Sequence, residues 1–555
     1  MMPRAASSTR RRTSPCCSDG AGTMGSQYNL TVSSTTTRHC QVTIDQKTYD
    51  RRWWILGVLA ISVFLVVVDN LIVNVALPTL QSELNATTTS LQWIVDSYAL
   101  VFAGLLLAGG GLGDRFGRKG ALQIGLVLFV VCSTFAAFAT TSNQLIFWRG
   151  AMGIGAALVF PATLAIITNI FVDPIERAKA IGLWSAVSGM AVAFGPIVGG
   201  ALLKHYWWGS VFLVNIPIVI VALVAGKFLI PKSRDENPHR IDLAGFLLSV
   251  IAVGSLVYTV IESPNWGWGS QKSNVGFAIA VFAFAAFISA ELRNKEPLLD
   301  VRVFANPRLS AAAGSIFVAF FCLFGFTFLV TQYFQFVLGY DTLSSGVHTI
   351  PFAVGAGVTA PFAARAALRF GTKRVVAFGL LNMAIGLAIA SRMDQHSSYW
   401  GHVIFSMVIM ANGLSLVTSP STDAIMGTLN RDKAGVGSAI NDVGREVGGT
   451  LGVAIVGSVF VSLYTPKLAS SFAGIPGLVQ NLPAGIYEIA QKSVGAAYQV
   501  VGKAPVEIQS RVQEAVSDSF IHGFKTACVV AAVVALVGSV IALVLLPSSP
   551  VKPED

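Results

Sequence analysis

From Trp53 onward, the chain alternates between long apolar stretches and short polar joints. Most stretches have about 18–25 residues, enough for a helix that crosses a hydrocarbon core of about 30 Å. We count fourteen segments: 53–78, 91–111, 119–139, 144–169, 179–203, 208–230, 241–262, 274–292, 309–337, 345–366, 373–391, 400–428, 446–464 and 524–546. The pattern predicts an all-α integral membrane protein with fourteen transmembrane helices and both chain ends on one side.

The hairpin of segments 241–262 and 274–292 separates six segments from six. This order predicts a 6+2+6 arrangement whose halves are related by duplication. The predicted regions are a disordered basic cytoplasmic tail (1–50), an N-terminal six-helix bundle (51–232), a two-helix linker (233–300), a C-terminal six-helix bundle (301–546) and a cytoplasmic stub (547–555). The outer loop 465–523 carries one or two amphipathic helices. We expect a passive connector there, with a lid over an outward opening as the alternative.

The first fifty residues are rich in Ser, Thr and Arg and lack apolar periodicity, which is typical of disorder. They contain no apolar core of the kind that a secretory signal needs. Translation from Met1 or from Met24 is equally compatible with this pattern.

Basic residues set the predicted orientation. With the tail inside, the short inner joints carry twenty Lys and Arg residues, from Arg115 to Arg445, whereas the short outer joints carry only Lys204, Lys272 and Arg392. By the positive-inside rule, both termini are cytoplasmic and the protein lies in the inner or plasma membrane. The same asymmetry explains the net charge of +10 without a nucleic-acid partner.

Composition narrows the function class. Hydrophobic residues make up 54% of the chain and charged residues only 12%, which excludes a water-soluble enzyme. The six cysteines have no zinc or disulfide spacing. The sequence lacks a Walker A loop, an H-E-x-x-H motif and a G-x-S-x-G motif. We therefore expect no ATP-driven pump, no enzyme activity, no metal and no cofactor.

The joint between segments 2 and 3 has the strongest local motif. Its glycines allow a tight turn, and its acid and bases can form charge-assisted hydrogen bonds at the mouth of the bundle. The alternative is a positive-inside loop that happens to contain an aspartate. The candidate residues for a conformational gate are Gly110, Asp114, Arg115, Gly117, Arg118 and Lys119.

This joint, with Leu112, resembles the G-x-L-a-D-r-x-G-r-k signature of the major facilitator superfamily. Segment 4, from Arg149 to Ala157, is similar to the R-x-x-Q-G-x-G-a-A motif of proton-coupled members, with Met152 in place of Gln. Segment 1, from Asp69 to Pro78, resembles the l-D-x-T-x-x-N-v-A-l-P motif of drug:proton antiporters with fourteen spans, with Leu71 in place of Thr. Segment 5 resembles the antiporter motif, with Ala191 at its middle glycine; the matching residues are Gly182, Gly195, Pro196, Gly199 and Gly200.

Together the four motifs resemble the EmrB/QacA-type branch over about residues 53–546. In that family the segment 5 motif is thought to seal a helix interface against leak; simple helix packing by glycine pairs is the alternative.

Three ionisable residues, Asp69, Asp96 and Arg149, lie inside the first-half segments at similar depth. A charge there is costly unless it is paired or faces water, so we predict a proton-coupling role. The alternative is a structural ion pair. We expect a lipophilic cation to compete with a proton for the Asp69 carboxylate. The membrane potential supplies about 2.3 kcal/mol per charge per 100 mV to this exchange, and the pH gradient supplies about 1.4 kcal/mol per pH unit.

Substrate contacts are harder to assign. Asn74 in segment 1 and a polar-aromatic patch in segment 9, Gln332, Tyr333 and Gln335, are candidate substrate-binding residues. The patch is equally typical of an interfacial aromatic belt. Asp423 in segment 12 is a candidate gate.

The sequence and the resemblance together predict a monomeric, proton-coupled exporter of amphipathic or cationic drugs that works by alternating access in the lipid bilayer. The alternatives are export of an endogenous metabolite, a self-made antibiotic or an envelope lipid, and import of a nutrient.

Overall fold

The computed structural model describes residues 46–231, 233, 242–294, 297, 299–428, 434–475, 478 and 486–546, and all the regular secondary structure of these ranges is helical. The predicted tail lies outside them up to residue 45, and Gln46–Asp50 forms a short helix. The stub 547–555 also lies outside the described residues.

Fourteen long helices follow one another in these ranges. They are α1 (Arg52–Glu83), α2 (Thr88–Phe116), α3 (Arg118–Ala137), α4 (Ser142–Ile170), α5 (Pro174–His205), α6 (Asn215–Leu229, after the turn Ser210–Leu213), α7 (Leu243–Trp266), α8 (Gln271–Arg293), α9 (Pro307–Gln332), α10 (Ile350–Phe370), α11 (Thr372–Ala390), α12 (Ile404–Met426), α13 (Ala434–Ala473) and α14 (Val506–Leu545).

Thirteen of these helices, some with an adjoining turn, are long and apolar enough to cross a membrane among the described residues. The remaining one, α5, is continuous over 32 residues and contains the expected segment 179–203. An all-helical membrane protein is therefore confirmed, whereas the fourteenth crossing stays a prediction.

Two helices differ from the expected bounds. Helix α13 begins at Ala434 rather than at 446, so the polar residues Asp442 and Arg445 belong to the helix and not to an inner joint. Helix α14 begins at Val506, which joins the predicted amphipathic helix to the last apolar segment in one helix of 40 residues. Both differences arise because a helical segment whose polar side chains face other helices has the amino-acid composition of a loop.

The helix contacts repeat between the first six and the last six helices. Helix α1 packs on α5 as α9 packs on α13, and α3 packs on α4 as α11 packs on α12. The α3–α4 contact depends on glycines: a Cβ added to Gly125 would lie 2.8 Å from the carbonyl oxygen of Gly155. A Cβ added to Gly379 of α11 would lie 2.9 Å from the carbonyl oxygen of Gly413 of α12. This correspondence supports the predicted duplication.

The turns that connect paired helices also repeat. Gly117 (φ 111°) ends α2 and precedes α3, and Gly371 (φ 86°) ends α10 and precedes α11. The flanking sequences match, Arg-Phe-Gly-Arg-Lys at 115–119 and Arg-Phe-Gly-Thr-Lys at 369–373. Because a positive φ strains any residue with a Cβ, glycine is required at both positions.

Helix α7 of the linker hairpin lies against the seam between α2 and α13. The Trp93 indole on α2 donates a hydrogen bond to Glu262 of α7 (3.1 Å). On the other side of the seam, the Ser458 hydroxyl of α13 donates to the carbonyl oxygen of Val260 (2.8 Å). The linker therefore contacts both groups of six helices.

Candidate functional site

A buried ion pair joins α1 to α4. Arg149 Nη1 lies 2.5 Å from Asp69 Oδ2, and both side chains are completely buried. The amide of Asn215 on α6 donates a hydrogen bond to the other Asp69 oxygen, Oδ1 (2.7 Å). The same amide contacts the Ser133 hydroxyl of α3 (3.0 Å). Helices α4 and α6 therefore hold the Asp69 carboxylate, and α3 contacts the Asn215 amide that donates to it.

The Arg149 guanidinium is only partly satisfied. Its Nε donates to the carbonyl oxygen of Ile94 (3.2 Å), and its Cζ lies 4.3 Å from the centre of the Tyr98 ring. Tyr98 in turn donates to the carbonyl oxygen of Val66 on α1 (3.2 Å). The remaining nitrogen, Nη2, is buried without a hydrogen-bond partner among the described residues. A buried guanidinium in this position depends strongly on Asp69 for its counter-charge.

The third predicted coupling residue, Asp96, lies apart from this pair. It is fully buried on α2, and neither carboxyl oxygen has a hydrogen-bond partner in the part of the chain that the structure describes. One turn earlier, Gln92 donates to the carbonyl oxygens of Val453 (3.4 Å) and Ala454 (3.1 Å) on α13. Asp96 therefore follows a residue that joins the two halves, whereas Asp69 and Arg149 lie within one half.

A cavity of about 230 Å³ lies between the two groups of helices. Asn70, Leu71 and Asn74 of α1 line it, so the cavity touches the α1 residues next to Asp69, while Asp69 is not among the lining residues. Seven aromatic side chains also line the cavity: Phe102, Phe160, Trp184, Phe320, Phe324, Phe326 and Phe352. The lining is mostly apolar and aromatic, which is typical of a site for small organic molecules.

Three charged residues of α13, Asp442, Arg445 and Glu446, complete the lining. The sequence analysis named none of them as a site residue: Asp442 and Arg445 precede the predicted segment 446–464, and Glu446 is its first residue. The available signal was their spacing of three and four residues, which puts charged side chains on one face of a helix.

Of the four predicted substrate-binding residues, Asn74 alone lines the cavity. Gln332 is buried and donates to the carbonyl oxygen of Phe328 (2.9 Å). Tyr333 donates to the carbonyl oxygen of Asp394 (2.8 Å) and stacks on Phe524. These two side chains are held by packing next to the cavity.

The fourth residue, Gln335, takes part in a closure at the predicted outer end of the bundle, where α1 ends and α2 begins. Its amide donates to the carbonyl oxygen of Val75 on α1 (2.9 Å). Lys204, at the end of α5, forms an ion pair with Asp341 of the other half (2.9 Å). The hydrogen bonds from Lys204 and from the Ser344 backbone lower the pKa of Asp341. These contacts join the two halves at that end.

The outer loop adds to this closure. The backbone N–H of Gly495 donates to Gln81 Oε1 near the end of α1 (3.0 Å), and the Thr88 hydroxyl donates to the carbonyl oxygen of Lys492 (3.3 Å). Tyr498 stacks on Phe336, which follows α9. The segment therefore contacts both halves at that end.

The antiporter motif lies on α5 between α1 and the second half. A Cβ on Gly195 would lie 2.9 Å from Leu71 Cβ, and one on Gly199 2.7 Å from Ile72 Cγ1. A Cβ on Gly200 would lie 2.5 Å from the carbonyl oxygen of Thr342 in the second half.

Two other motif positions differ in their surroundings. Pro196 faces Gly346 of the second half and lines the cavity, whereas Gly182 has open space around it.

The gate candidates lie at the predicted inner end. Lys119 donates to the carbonyl oxygens of Lys227 (2.7 Å) and Ile230 (2.6 Å) at the end of α6, and Arg118 donates to that of Ala165 on α4 (3.3 Å). Gly117 forms the turn described above. A Cβ added to Gly110 would lie 3.6 Å from Pro161 Cβ, which is an ordinary packing distance. The Arg115 side chain is exposed. The Asp114 side chain lies outside the described residues.

At the same end, Arg52 and Glu176 join α1 to α5. Arg52 Nε and Nη2 each lie 2.9 Å from a Glu176 carboxylate oxygen. Helices α1 and α5 are thus joined at the inner end and packed closely in the middle.

The comparisons agree with this architecture. The family model of the Major Facilitator Superfamily matches residues 59–452 and 347–480. The multidrug efflux pump LfrA of Mycolicibacterium smegmatis is 32% identical over 499 residues, 89% of this chain and 96% of the relative. The tetracenomycin C resistance and export protein of Streptomyces glaucescens is 34% identical over 498 residues, 89% of this chain and 91% of the relative.

The methyl viologen resistance protein SmvA of Salmonella typhimurium is 32% identical over 480 residues, 86% of this chain and 94% of the relative. Among solved structures, a bacterial homologue of the human lysosomal transporter Spinster, inward-facing and unoccupied, matches with a TM-score of 0.60 and 17% identity. It covers 90% of this chain and 98% of its own. At this identity the likeness concerns the fold.

Proposed function

Because the chain belongs to the Major Facilitator Superfamily, we propose that it exports amphipathic or cationic drugs and other toxic compounds across the plasma membrane in exchange for protons. The relatives support drug export, since they are named for multidrug efflux or for resistance to single compounds. The Asp69–Arg149 ion pair carries the proton-coupling part of the proposal, because it places a carboxylate and its counter-charge inside the membrane-spanning bundle.

The geometry favours indirect exchange over competition at one carboxylate. Asp69 faces Arg149 and Asn215, whereas its neighbours Asn70 and Leu71 line the cavity. A substrate in the cavity thus contacts α1 on the side away from the carboxylate. Direct competition at Asp69 therefore needs a conformation other than this one.

A proton on Asp69 removes the charge that neutralises Arg149. The guanidinium is then buried without a counter-charge, which is strongly unfavourable. We propose that α1 shifts to relieve this cost and that α5 moves with it, because Arg52–Glu176 and the Gly195 and Gly199 contacts join the two helices. Since α5 also contacts the second half through Gly200, this movement reaches the outer closure.

The transporter acts as a monomer in this proposal, with both termini in the cytoplasm, and the two six-helix bundles rock about the cavity. The repeated helix contacts support this arrangement. The tetracenomycin C resistance and export protein favours a second candidate, export of an antibiotic.

Everted membrane vesicles test the function. Ethidium should accumulate in energised vesicles that contain the protein and leave them when a protonophore collapses the gradient. Vesicles without the protein provide the background. Accumulation that persists after collapse of both the potential and the pH gradient would contradict proton coupling, and no accumulation above background for ethidium or any cationic or antibiotic compound in a panel would contradict drug export.

A further inference from the structure

A groove of about 450 Å³ lies between the two helices of the linker, and its described lining residues all belong to α7 and α8. It shares no described lining residue with the central cavity. The lining residues of α8 recur at intervals of three and four and so share one helix face: Lys272, Val275, Gly276 and Ile279. The two helices touch at the groove itself, because a Cβ added to Gly276 would overlap the Thr259 hydroxyl oxygen.

The groove faces the lipid that surrounds the protein. Helix α8 packs mainly on α7, and only 17% of its apolar 18-residue stretch lies inside the protein. Its other faces therefore contact the bilayer. From Lys272 to Ile279 the groove extends about 10 Å along α8, from the α7–α8 turn toward the middle of the membrane. A phospholipid with its headgroup at the turn and an acyl chain along the groove matches this depth.

The end of the groove near the turn offers hydrogen-bond donors. The Tyr258 hydroxyl, the Trp266 indole N–H and the Lys272 ammonium belong to the lining, and none of them donates a hydrogen bond to any residue that the structure describes. The Tyr258 and Trp266 rings lie together, with centroids 5.5 Å apart. Trp and Tyr are enriched at the level of the headgroups, and Lys attracts their phosphates.

The charge of the groove indicates which headgroup it prefers. Lys272 is the one charged residue among the described lining residues, and no carboxylate accompanies it. A zwitterionic headgroup would bring a second cation close to this ammonium without an acid to receive it. A headgroup with a net negative charge therefore fits the groove better.

We propose that the α7–α8 groove binds a phospholipid with an anionic headgroup. The headgroup phosphate contacts Lys272, Tyr258 and Trp266, and one acyl chain lies along Val275 and Ile279. The lipid comes from the leaflet at the end of the bundle where α1 ends and α2 begins, which is the outer leaflet in the predicted orientation. Since the groove is separate from the central cavity, this site does not depend on the proposed transport substrate.

A lipid in this groove acts on the contact between the two halves. The Tyr258 ring packs on Trp93 of α2 (centroids 5.7 Å apart), and the Trp93 indole donates to Glu262. The Trp268 indole in the α7–α8 turn donates to the Ser462 hydroxyl of α13 (3.0 Å). A lipid that holds α7 and α8 together therefore stabilises the linker in the position in which it contacts both halves.

The test compares two lipids on the delipidated, purified full-length protein. Native mass spectrometry counts the lipids bound during titration with dioleoyl phosphatidylglycerol or dioleoyl phosphatidylcholine, and thermal unfolding measures how much each lipid stabilises the protein. The variants are Lys272→Gln, which removes the charge, and Ile279→Trp, which fills the groove and keeps the charge. Lys492→Gln removes an exposed lysine at the same end of the bundle, outside the groove, and is the matched control.

Wild type should bind its first phosphatidylglycerol about fivefold more tightly than phosphatidylcholine, since one Lys near an anionic lipid contributes a factor of about that size. Its Tm should rise more with phosphatidylglycerol. Lys272→Gln should remove this preference, and Ile279→Trp should weaken the first phosphatidylglycerol by a similar factor although the charge is unchanged. Lys492→Gln should match wild type. A Tm near the wild-type value without added lipid shows that each variant is folded.

Equal affinity of wild type for the two lipids would overturn the proposal. An affinity for the first phosphatidylglycerol that either Lys272→Gln or Ile279→Trp leaves unchanged would overturn it too. The same holds if Lys492→Gln lowers this affinity as much as Lys272→Gln does, because that result indicates attraction by the general surface charge. A dimer that Ile279→Trp dissociates would assign the groove to a second copy of the chain instead of a lipid.

Discussion

Asp69 and Asn70 are neighbours on α1, yet they face different parts of the molecule. The Asp69 carboxylate bonds to Arg149 and Asn215 inside the first half, whereas Asn70 lines the cavity between the halves. One turn of one helix therefore contacts both the buried ion pair and the cavity in which we propose that a substrate binds. In the proposed mechanism, this relationship lets proton and substrate be exchanged without sharing a carboxylate.

Removing Arg149 should destabilise the protein more than removing both charges. Arg149→Ala leaves the Asp69 carboxylate buried without its partner, at a cost of about 3–5 kcal/mol, whereas Asp69→Asn together with Arg149→Gln removes both charges at a smaller cost. Thermal unfolding in detergent, followed by loss of the monodisperse peak, should show a larger drop in Tm for the single variant. A double variant that is less stable than Arg149→Ala would contradict this expectation.

Two glycines of the antiporter motif should differ in their response to the same substitution. Gly200→Ala places a Cβ 2.5 Å from the Thr342 carbonyl oxygen, so α5 and the second half must separate, at a cost of about 1–3 kcal/mol. Gly182→Ala meets no atom within 4 Å and should be nearly neutral. Transport rates, together with the labelling rate of a cysteine introduced at Thr342, measure the effect. Equal behaviour of the two variants would show that the contact has no role in closure.

The Lys204–Asp341 pair should open at acidic pH. Hydrogen bonding lowers the pKa of Asp341 below its usual value of about 3.9, so the pair stabilises the closure above that value and is lost as the pH falls through the lowered pKa. Spin labels at the exposed positions Tyr206 and Trp400 report the separation of the halves. The distance should stay constant from pH 8 to pH 5 and should increase only as the pH falls below about 3.9.

Asp341→Asn should remove this dependence and weaken the closure slightly at neutral pH. Because both side chains are about half exposed, the effect should be small and should diminish with added salt. If the label distance changes at acidic pH by the same amount in Asp341→Asn and in wild type, a titratable group other than Asp341 causes the change.

The outer loop should loosen when its contact with α1 is removed. Gln81→Ala deletes the acceptor of the Gly495 N–H, and hydrogen exchange of the segment Ile486–Lys503 should become faster. Gln144→Ala, which removes a side chain that accepts hydrogen bonds only from the backbone N–H and the hydroxyl of Thr140 among the described residues, serves as the control. Unchanged exchange in Gln81→Ala would indicate that the loop does not depend on this bond.

Much of the fold could be predicted because lipid imposes simple requirements on a chain. Each apolar segment must form a helix that satisfies its own backbone hydrogen bonds. The length of the segment then shows whether the helix can span the membrane. The pairing of Asp69 with Arg149 could also be predicted, because the two residues lie at a similar depth in the membrane and a single unpaired charge there is costly.

The cavity residues could not be predicted in the same way. The stretch around Asp442 and Glu446 has the composition of a polar joint, and only packing against α9 shows that it is helical. Gln332 and Tyr333 have the chemistry of a binding patch, but their orientation places them in packing contacts. Which side of a helix faces a cavity depends on every neighbouring helix.

The most direct test of the account asks whether Asp69 carries the coupling proton. Asp69→Asn and the matched control Asp518→Asn, which removes an exposed carboxylate paired with Lys467, are reconstituted in proteoliposomes with an imposed pH gradient. The account predicts that Asp518→Asn accumulates ethidium like wild type, whereas Asp69→Asn only equilibrates it and moves no protons with it. Gradient-driven accumulation by Asp69→Asn at the wild-type ratio, with the same proton flux, would contradict the account.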